Sequence, residues 1–251
     1  MTLELLICTI DERMQRIESH LLPPRADVSY LISWQYTGLK PVIPEWAVCR
    51  EDVRVVLLEG RGLSRNRNNA LAHAQGDILK ICDDDEQWTP QRLHTIIEAY
   101  ERNPQSDIIH FQIEGIDKMY PNPSVASCEM TMRRQTVGKM RFDERFGLGS
   151  EHLMSGEEDV FLCDARKRGL AIHYEPQVIA HTSGITTGQR TWEPRVLRSK
   201  GAVFCYTRGV AYALYKSLRE SMGFMIRRHM NPFTTLRHML WGVRYVSRCR
   251  Q

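Results

Sequence analysis

The sequence of 251 residues lacks the features that mark several common protein classes. No apolar run approaches the roughly 18 to 20 residues that a membrane-spanning helix needs. The seven cysteines are scattered, odd in number and without a Cys-x-x-Cys pair, which argues against a zinc site and for a reducing compartment. Residues 1–10 contain an early acid and no basic region, so we expect a buried strand there and not a signal peptide.

Internal repeats and low-complexity tracts are also missing, and the apolar content is ordinary. A chain of this length can bury a substantial core in one large α/β domain or in two small ones. We expect one main domain over residues 1–190, followed by a basic helical appendage over residues 191–251.

The charge of the chain is distributed unevenly. Residues 190–251 carry 13 Lys or Arg and two acids, a net charge of +11, which leaves −7 for the first 189 residues. Apolar residues recur there every three or four positions from Val210 to Met225, and Asn231-Pro232 begins a second predicted helix. Two interpretations stay open: a helix pair lying on an anionic membrane surface, or a helical cap packed on the domain with its arginines in solvent.

The first 190 residues alternate between strand and helix patterns, which predicts an α/β fold with a mostly parallel sheet. The predicted strands are residues 3–10, 28–34, 53–58, 77–82, 107–113, 127–132, 170–174 and 177–180. The predicted helices are residues 11–20, 63–75, 89–102 and 157–168. In the second of these we expect Ser64 to cap the N-terminus and Gly76, in a left-handed conformation, to end the helix.

Four consecutive acids, Asp83 to Glu86, follow the predicted strand at residues 77–82. Such neighbours repel one another, which raises some pKa values unless a cation or hydrogen-bond donors neutralise them. They lie at the carboxyl end of a strand, where open α/β sheets bind ligands. An isolated acidic run is also typical of a solvated turn, so the surrounding residues decide the interpretation.

Those surrounding residues resemble a known family. Gly62-Leu63-Ser64, Arg67-Asn68, Gly76 and Asp83-x-Asp85 are similar in order and spacing to the glycine, Arg-Asn and Asp-x-Asp series of family 2 glycosyltransferases. A later segment, Phe142 to Phe146 followed by Glu158-Asp159, resembles the second signature of that family. The resemblance implies the GT-A fold, a Rossmann-like sheet with flanking helices, with a nucleotide-binding half over about 1–105 and an acceptor-binding half over about 106–190.

The resemblance also implies an activity. We expect a metal-dependent inverting glycosyltransferase that uses Mn²⁺ or Mg²⁺ and a nucleoside-diphosphate sugar, with UDP-sugars as the first choice. The expected acceptor is a saccharide or lipid-linked saccharide in surface polysaccharide or glycolipid biosynthesis, and no nucleic-acid partner is expected. Of the Gln-x-x-Arg-Trp motif of processive synthases only Gln189-Arg190-Thr191-Trp192 is present, so we expect a single sugar addition by a cytoplasmic enzyme, soluble or peripheral on the inner membrane face.

Site residues follow from the same resemblance. Asp85 is the first-choice metal ligand and His181 a second, although a lone histidine is as often a surface residue. Asp159 is the expected general base, and its neighbour Glu158 either shares that site or completes a capping box with Ser155. The expected donor-binding residues are Thr9, Asp11, Ser33, Gln35, Arg67, Asn68, Asp83 and Asp84, the last of which we expect to point away from the metal.

The chain departs from the family pattern at two places, and two alternative functions stay open. Most relatives have Pro-x-Tyr-Asn after the first strand and a base-reading aspartate after the second, whereas this chain has Thr9-Ile10-Asp11 and Ser33-Trp34-Gln35, which leaves the nucleobase open. A sugar nucleotidyltransferase would have a glycine-rich start and an Arg-Lys pair, which residues 3–16 lack. A non-catalytic adaptor would bind a membrane or nucleic acid through residues 190–251, with a salt-sensitive affinity.

Overall fold

The computed structural model describes residues 1–115, 125–182 and 193–248. The Gln189-Arg190-Thr191-Trp192 segment lies outside those residues. The contacts divide the chain into two compact units. Unit 1 comprises Met1–Arg141 and Asp164–Ile185, and unit 2 comprises Phe142–Cys163 and Thr186–Gln251. This division assigns residues 142–163 to the unit of the C-terminal helices. The domain boundary that the sequence predicts at residue 190 stays a prediction.

Unit 1 is built on a seven-stranded mixed sheet with the order β3-β2-β1-β4-β6-β5-β7. Its strands are β1 (Leu3–Ile10), β2 (Val28–Tyr36), β3 (Val53–Glu59), β4 (Ile78–Asp83), β5 (Ile108–Glu114), β6 (Met130–Arg133) and β7 (Ile172–His181). Only β6 runs antiparallel to its neighbours, β4 and β5, so the sheet is mostly parallel as predicted. The predicted α/β fold class is confirmed.

The order of the strands creates a crevice beside β1. The chain passes from β1 to β2 and β3 on one side and then returns to place β4 on the other side of β1. The loops after β1 and β4 therefore leave the sheet in opposite directions, and such a topological switch point is where open α/β sheets bind ligands. The acid run at the end of β4 lies at this point.

The helices of unit 1 cover the sheet. They are α1 (Glu45–Val48), α2 (Leu63–His73), α3 (Pro90–Arg102) and α4 (Arg134–Val137), and residues 11–16 and 18–20 form short 3₁₀ helices where one α-helix was predicted. The start of α3 is confirmed, because the Thr89 side chain accepts a hydrogen bond from the Arg92 backbone N–H and Pro90 follows the cap. The core joins the sheet to α3 through side chains such as Ile7, Ile32, Ile96 and Tyr100.

The helix α2 begins at Leu63 as predicted, but both residues predicted to cap it are wrong. The helix begins after Gly62, which has φ +127°, and Ser64 is a buried residue inside the first turn that does not cap it. Gly76 has no positive φ and lies after the helix. A side chain there would meet Glu4, since a Cβ on Gly76 would come within 2.6 Å of the Cβ of Glu4. Glycine is needed at residue 76 because β1 passes close to its backbone.

Two strand predictions also need correction. Residues 127–129 form a 3₁₀ turn, so that β6 is limited to Met130–Arg133. The two strands predicted over 170–174 and 177–180 are one strand, β7, whose pairing with β5 shifts register between His110 and Ile113. A bulged strand tolerates Pro176, which cannot donate a ladder hydrogen bond.

Unit 2 contains three C-terminal helices where two were predicted. They are α6 (Pro194–Arg208), α7 (Val210–Arg228) and α8 (Pro232–Arg248), and Gly209, with φ +84°, separates the first two. The first seven residues of α5 (Glu157–Lys167) also belong to unit 2. In the described part of the chain, every helix is too short or too polar to cross a membrane.

Helices α6 and α8 pack with their backbones in contact. A Cβ on Gly242 would lie 1.9 Å from the carbonyl oxygen of Arg198, and a Cβ on Gly201 would lie 2.0 Å from that of Met239. The Arg198 guanidinium lies over the ring of Trp241, 4.5 Å from its centroid. The two glycines therefore set the separation of this helix pair.

Candidate functional site

The acid run forms a tight turn at the end of β4. Asp83 is the last residue of that strand and lies beside Cys8 of β1, one residue before Thr9. Three of the four acids have a basic side chain as partner. Asp83 pairs with the buried Arg67 at 3.3 Å, Asp84 pairs with Arg13, and Glu86 pairs with Lys80.

Glu86 and Lys80 form an ion pair with no exposed side-chain surface. Glu86 also accepts hydrogen bonds from the Asp83 backbone N–H at 2.8 Å and from Trp88 Nε1 at 3.2 Å. Burial raises the pKa of Glu86 to about 7, and the positive charge of Lys80 opposes that rise. Burial alone would lower the pKa of Lys80, but the neighbouring Cys82 and Glu86 outweigh it and raise that pKa. This buried ion pair fixes the conformation of the turn.

Asp84 is turned into the protein. One of its carboxylate oxygens accepts a hydrogen bond from the Thr9 hydroxyl at 2.8 Å, and the other contacts Arg13. Burial is the largest influence on Asp84 and raises its pKa, while Thr9 and Arg13 lower it. Both oxygens thus have protein partners, and they tie the ends of β1 and β4 together; its donor-binding role stays a prediction.

Asp85 differs from its three neighbours. Its side chain is partly exposed, and within the described residues its carboxylate forms no hydrogen bond and no ion pair. The repulsion expected among four acids is therefore reduced by three cations, and the remaining negative charge is carried by Asp85. It is the acid of this turn that is available to a ligand.

His181 lies next to the acid turn. Its backbone exchanges two hydrogen bonds with Gln87, each 2.9 Å long, so the end of β7 is paired with the residue two positions after Asp85. The imidazole is 43% exposed, and its Nδ1 lies 3.8 Å from Glu114, which is also paired with Arg92. The two residues predicted as metal ligands, Asp85 and His181, thus lie on adjacent backbone segments, and their role as ligands stays a prediction.

The donor set suits a divalent cation that shares its ligands with phosphate. Among residues 1–115, 125–182 and 193–248, no three His, Cys, Asp or Glu side chains converge as a complete protein-built metal site would require. Mg²⁺ and similar hard cations are commonly held by one or two carboxylates together with substrate phosphates and waters. A single available carboxylate, with the half-exposed Asp83 beside it, fits that mode of binding.

Polar side chains from α2 reach the ends of β1 and β2. Asn66 donates to the carbonyl oxygen of Thr9 at 3.0 Å, and Asn69 donates to the Ser33 hydroxyl at 2.8 Å. Gln35 is buried, and its Nε2 has no hydrogen-bond partner in the described part of the chain. An unpaired buried amide costs about 1–3 kcal/mol, so this donor is well placed to bind an acceptor atom of a ligand.

Asp11 follows β1 in the left-handed backbone conformation, with φ +49°. Its carboxylate accepts hydrogen bonds from the Thr37 backbone N–H at 2.9 Å and from the Thr37 hydroxyl, and its carbonyl oxygen accepts from Trp34 Nε1. Asp11 thereby holds the segment after β2 next to the end of β1. Asn68, the remaining residue predicted for donor binding, lies half-buried on α2.

The sequence analysis did not predict several residues that build this site. They are the basic partners Arg13 and Lys80, the asparagines Asn66 and Asn69, and Glu86 as the partner of Lys80. One signal was available, because a lysine in the middle of an apolar strand is almost never fully buried without an acidic partner. The partners of Arg13 and of the two asparagines depend on contacts between separate elements, which no local pattern reveals.

The predicted base, Asp159, lies in unit 2 in the first turn of α5, beside Glu157 and Glu158. The segment before this helix is held against α6. The Ser155 backbone N–H donates to the Ser199 hydroxyl at 3.2 Å, and a Cβ on Gly156 would come within 2.4 Å of Val203. Burial lowers the pKa of Lys200, and the negative charges of Glu220 and Asp159 oppose that change only in part. The catalytic roles of Glu158 and Asp159, and the capping box with Ser155, stay predictions.

Comparisons with known proteins bear on the family and the fold. Residues 38–161 match a family model described as glycosyl transferase family 2. A comparison with curated protein sequences gives no significant match.

Solved structures of the same fold include the 1–349 fragment of TarS from S. aureus, with a TM-score of 0.58, 11% identity and coverage of 100% of this chain and 92% of that one. The complex of that fragment with UDP-GlcNAc has a TM-score of 0.58 and 12% identity, and covers 91% of this chain and 76% of that one. The mannosyltransferase PcManGT from Pyrobaculum calidifontis, in complex with GDP-Man and Mn²⁺, has a TM-score of 0.57 and 14% identity, with coverage of 99% and 88%. This chain spans 44% of another, longer TarS chain.

Proposed function

Since residues 38–161 match the model of glycosyl transferase family 2 and the chain has the GT-A fold, we propose that it is a member of that family and a metal-dependent inverting glycosyltransferase. The proposed reaction moves one sugar from a nucleoside-diphosphate sugar to a hydroxyl of a saccharide or lipid-linked saccharide. The observation that carries this proposal is the acid turn at the switch point, in which three acids are paired with Arg13, Arg67 and Lys80 and Asp85 is left for a ligand.

Asp85 and His181 would hold the cation, with Asp83 contacting a metal-bound water or the ribose. When bound, Mn²⁺ or Mg²⁺ neutralises the negative charge of the leaving diphosphate. The family supports this assignment, since PcManGT was solved with GDP-Man and Mn²⁺. Arg67, fully buried behind Asp83, would fix the position of that carboxylate.

The donor would lie over the ends of β1 and β2. The proposed contacts are Thr9, Asp11, Ser33, Gln35 and Asn68, and a UDP-sugar is the first choice because TarS binds UDP and UDP-GlcNAc. Among the described residues Gln35 offers an unpaired Nε2, near the end of β2. An amide donor prefers an acceptor atom, so we expect Gln35 to contact a carbonyl oxygen or ring nitrogen of the base.

Asp159 would act as the general base. The acceptor hydroxyl attacks the anomeric carbon while its proton passes to the Asp159 carboxylate, and the bond from that carbon to the diphosphate oxygen breaks with the electron pair leaving on the diphosphate. A single displacement of this kind inverts the anomeric configuration.

The proposed setting is surface polysaccharide or glycolipid biosynthesis, with the enzyme in the cytoplasm or on the inner face of the membrane. The basic C-terminal helices support contact with a lipid-linked acceptor, because residues 190–251 carry a net charge of +11. A single addition is proposed for each reaction.

The test is donor turnover by the purified full chain. A panel of UDP-sugars and GDP-mannose is incubated with Mn²⁺ or Mg²⁺, and release of the nucleoside diphosphate is measured. We expect release with one donor, its loss on chelation of the metal, and a decrease of at least about 100-fold in Asp85→Asn and in Asp159→Asn. Glu51→Gln, at an exposed acid outside the site, is the matched control and should retain full activity.

Turnover that persists in both site variants would contradict the assigned roles. Formation of a nucleotide sugar and pyrophosphate from a nucleoside triphosphate and a sugar phosphate would identify a nucleotidyltransferase instead. Salt-sensitive binding of nucleic acid that survives both substitutions, in a protein without turnover, would identify an adaptor.

A further inference from the structure

Helix α7 carries large apolar side chains on the side that faces solvent. Leu214, Tyr215, Leu218, Met222 and Ile226 are 48%, 60%, 54%, 45% and 72% exposed, and we call these five residues the α7 outer face. They recur every three or four positions, so they form one continuous strip along the helix. The strip lies on the solvent side of a folded unit, which is the reverse of an ordinary amphipathic surface helix.

The opposite side of α7 explains this inversion. The residues buried against the rest of unit 2 are mostly small, namely Ala213, Ser217 and Ser221, with Phe224 near the end. Small residues let α7 lie close to α6 and α8, so the larger apolar side chains are left outside. Contiguous exposed apolar surface on this scale marks an interaction site.

The charges around α7 indicate the kind of partner. Its one acid, Glu220, lies half-buried and is paired with Lys216 at 2.8 Å and Arg227 at 3.6 Å. Arg219 and Arg228 are exposed on the same helix. The outer face is therefore bordered by positive charge and carries no acid, which suits an anionic surface with an apolar layer beneath it.

We propose that the α7 outer face inserts into the boundary between headgroups and acyl chains of an anionic bilayer, with Arg219 and Arg228 on the lipid phosphates. Tyr215 has the apolar body and polar tip favoured at that depth. A second copy of the chain suits this face less well, because a two-fold contact would bring the same arginines of both copies together. The proposal names the membrane as the partner in the proposed function, since a lipid-linked acceptor is found there.

The test is co-sedimentation of the full chain with vesicles of phosphatidylcholine, with and without phosphatidylglycerol. We expect wild type to sediment with the anionic vesicles and Leu214→Glu/Leu218→Glu to lose binding by roughly tenfold or more. Arg219→Glu/Arg228→Glu should lose the preference for anionic lipid and its salt sensitivity. Leu39→Glu/Val42→Glu is the matched control, since those residues are 95% and 89% exposed in unit 1, and it should bind as wild type does.

Two readouts keep this proposal separate from the proposed function. Circular dichroism checks the fold of each variant, and Ile226→Glu alone serves as a milder second variant. Release of nucleoside diphosphate with soluble substrates should be unchanged in all of them. The proposal is overturned if wild type stays in the supernatant, or if Leu214→Glu/Leu218→Glu binds vesicles as tightly as wild type. It is also overturned if the chain does not bind vesicles but forms a dimer that these substitutions abolish.

Discussion

At the scale of single residues, the acid turn depends on one cation for each of three acids. The pair of Lys80 and Glu86 lies deepest, with no exposed side-chain surface on either partner. Its removal has the largest expected consequence, because a buried charge without its partner is far more costly than an exposed one.

We predict that Lys80→Met lowers the free energy of unfolding by about 3–5 kcal/mol at neutral pH, since Glu86 is left buried without its cation. The loss should be smaller at pH 5 than at pH 8. The pKa of Glu86 is already raised to about 7 and would rise further without Lys80. In the folded variant Glu86 therefore keeps its proton to a higher pH than it does in the unfolded chain, and the buried carboxylate is neutral at low pH. Stability relative to wild type therefore falls as pH rises through that interval.

Urea denaturation at several pH values measures this effect. Lys40→Met, at an exposed lysine, is the control and should change stability by less than about 0.5 kcal/mol at any pH. Lys80→Met/Glu86→Gln should recover part of the loss and remove the pH dependence. A deficit in Lys80→Met that is independent of pH would contradict the assignment of an uncompensated Glu86 carboxylate.

At the scale of elements, α6 and α8 are held together by close contact at two glycines. We predict that Gly242→Ala destabilises the chain by about 1–3 kcal/mol, because its Cβ would lie 1.9 Å from the Arg198 carbonyl oxygen and force the helices apart. This loss opposes the intrinsic preference for alanine in helices, which is about 1 kcal/mol.

Gly223→Ala in α7 is a matched control for that substitution. The atoms nearest to its Cβ would be those of the Arg227 guanidinium, the first at 2.8 Å, and that flexible side chain can move aside. We expect this variant to be neutral or up to about 1 kcal/mol more stable. Urea denaturation followed by tryptophan fluorescence compares the two, and equal stability of both variants would show that the α6–α8 contact does not limit stability.

The helices also show what periodicity leaves open. The recurrence of apolar residues from Val210 to Met225 correctly predicts helix, and the structure has α7 there. Periodicity identifies a stripe but does not say which neighbour covers it. In α7 the small residues are buried and the large ones are exposed, because the room left by α6 and α8 decides which side faces inward.

At the scale of the whole molecule, the bound donor should stabilise the fold. We predict that UDP or GDP with Mn²⁺ raises the unfolding midpoint, by an amount equivalent to about 2.7 kcal/mol at a concentration 100 times the dissociation constant. Asp85→Asn should lose the part of this shift that depends on the metal, since it removes the available carboxylate. Differential scanning fluorimetry measures the shift, with and without a chelator.

Glu51→Gln again serves as the control and should shift as wild type does. A shift produced by the nucleotide alone, unchanged by Mn²⁺ or by Asp85→Asn, would remove the metal role from this carboxylate. Because the measurement needs no acceptor, it tests the donor site even where the acceptor is unidentified.

Patterns in the sequence alone predict the fold class, most of the strands and the position of the acid turn. These depend on signals that lie close together along the chain, such as alternation, proline after Thr89, and an acidic run after an apolar strand. The start of α3 follows from Thr89-Pro90 alone, and the structure confirms it.

Which acids are neutralised and which remains available follows from contacts between elements that are far apart in the sequence. Arg13, Arg67 and Lys80 come from three different elements, and the sheet order that places β4 beside β1 brings Asp84 to Thr9. The same holds for Gly76, which is a glycine because β1 passes beside it and not because a helix ends there. A side chain chooses its partner in space, so its role depends on packing between elements that are distant in the sequence.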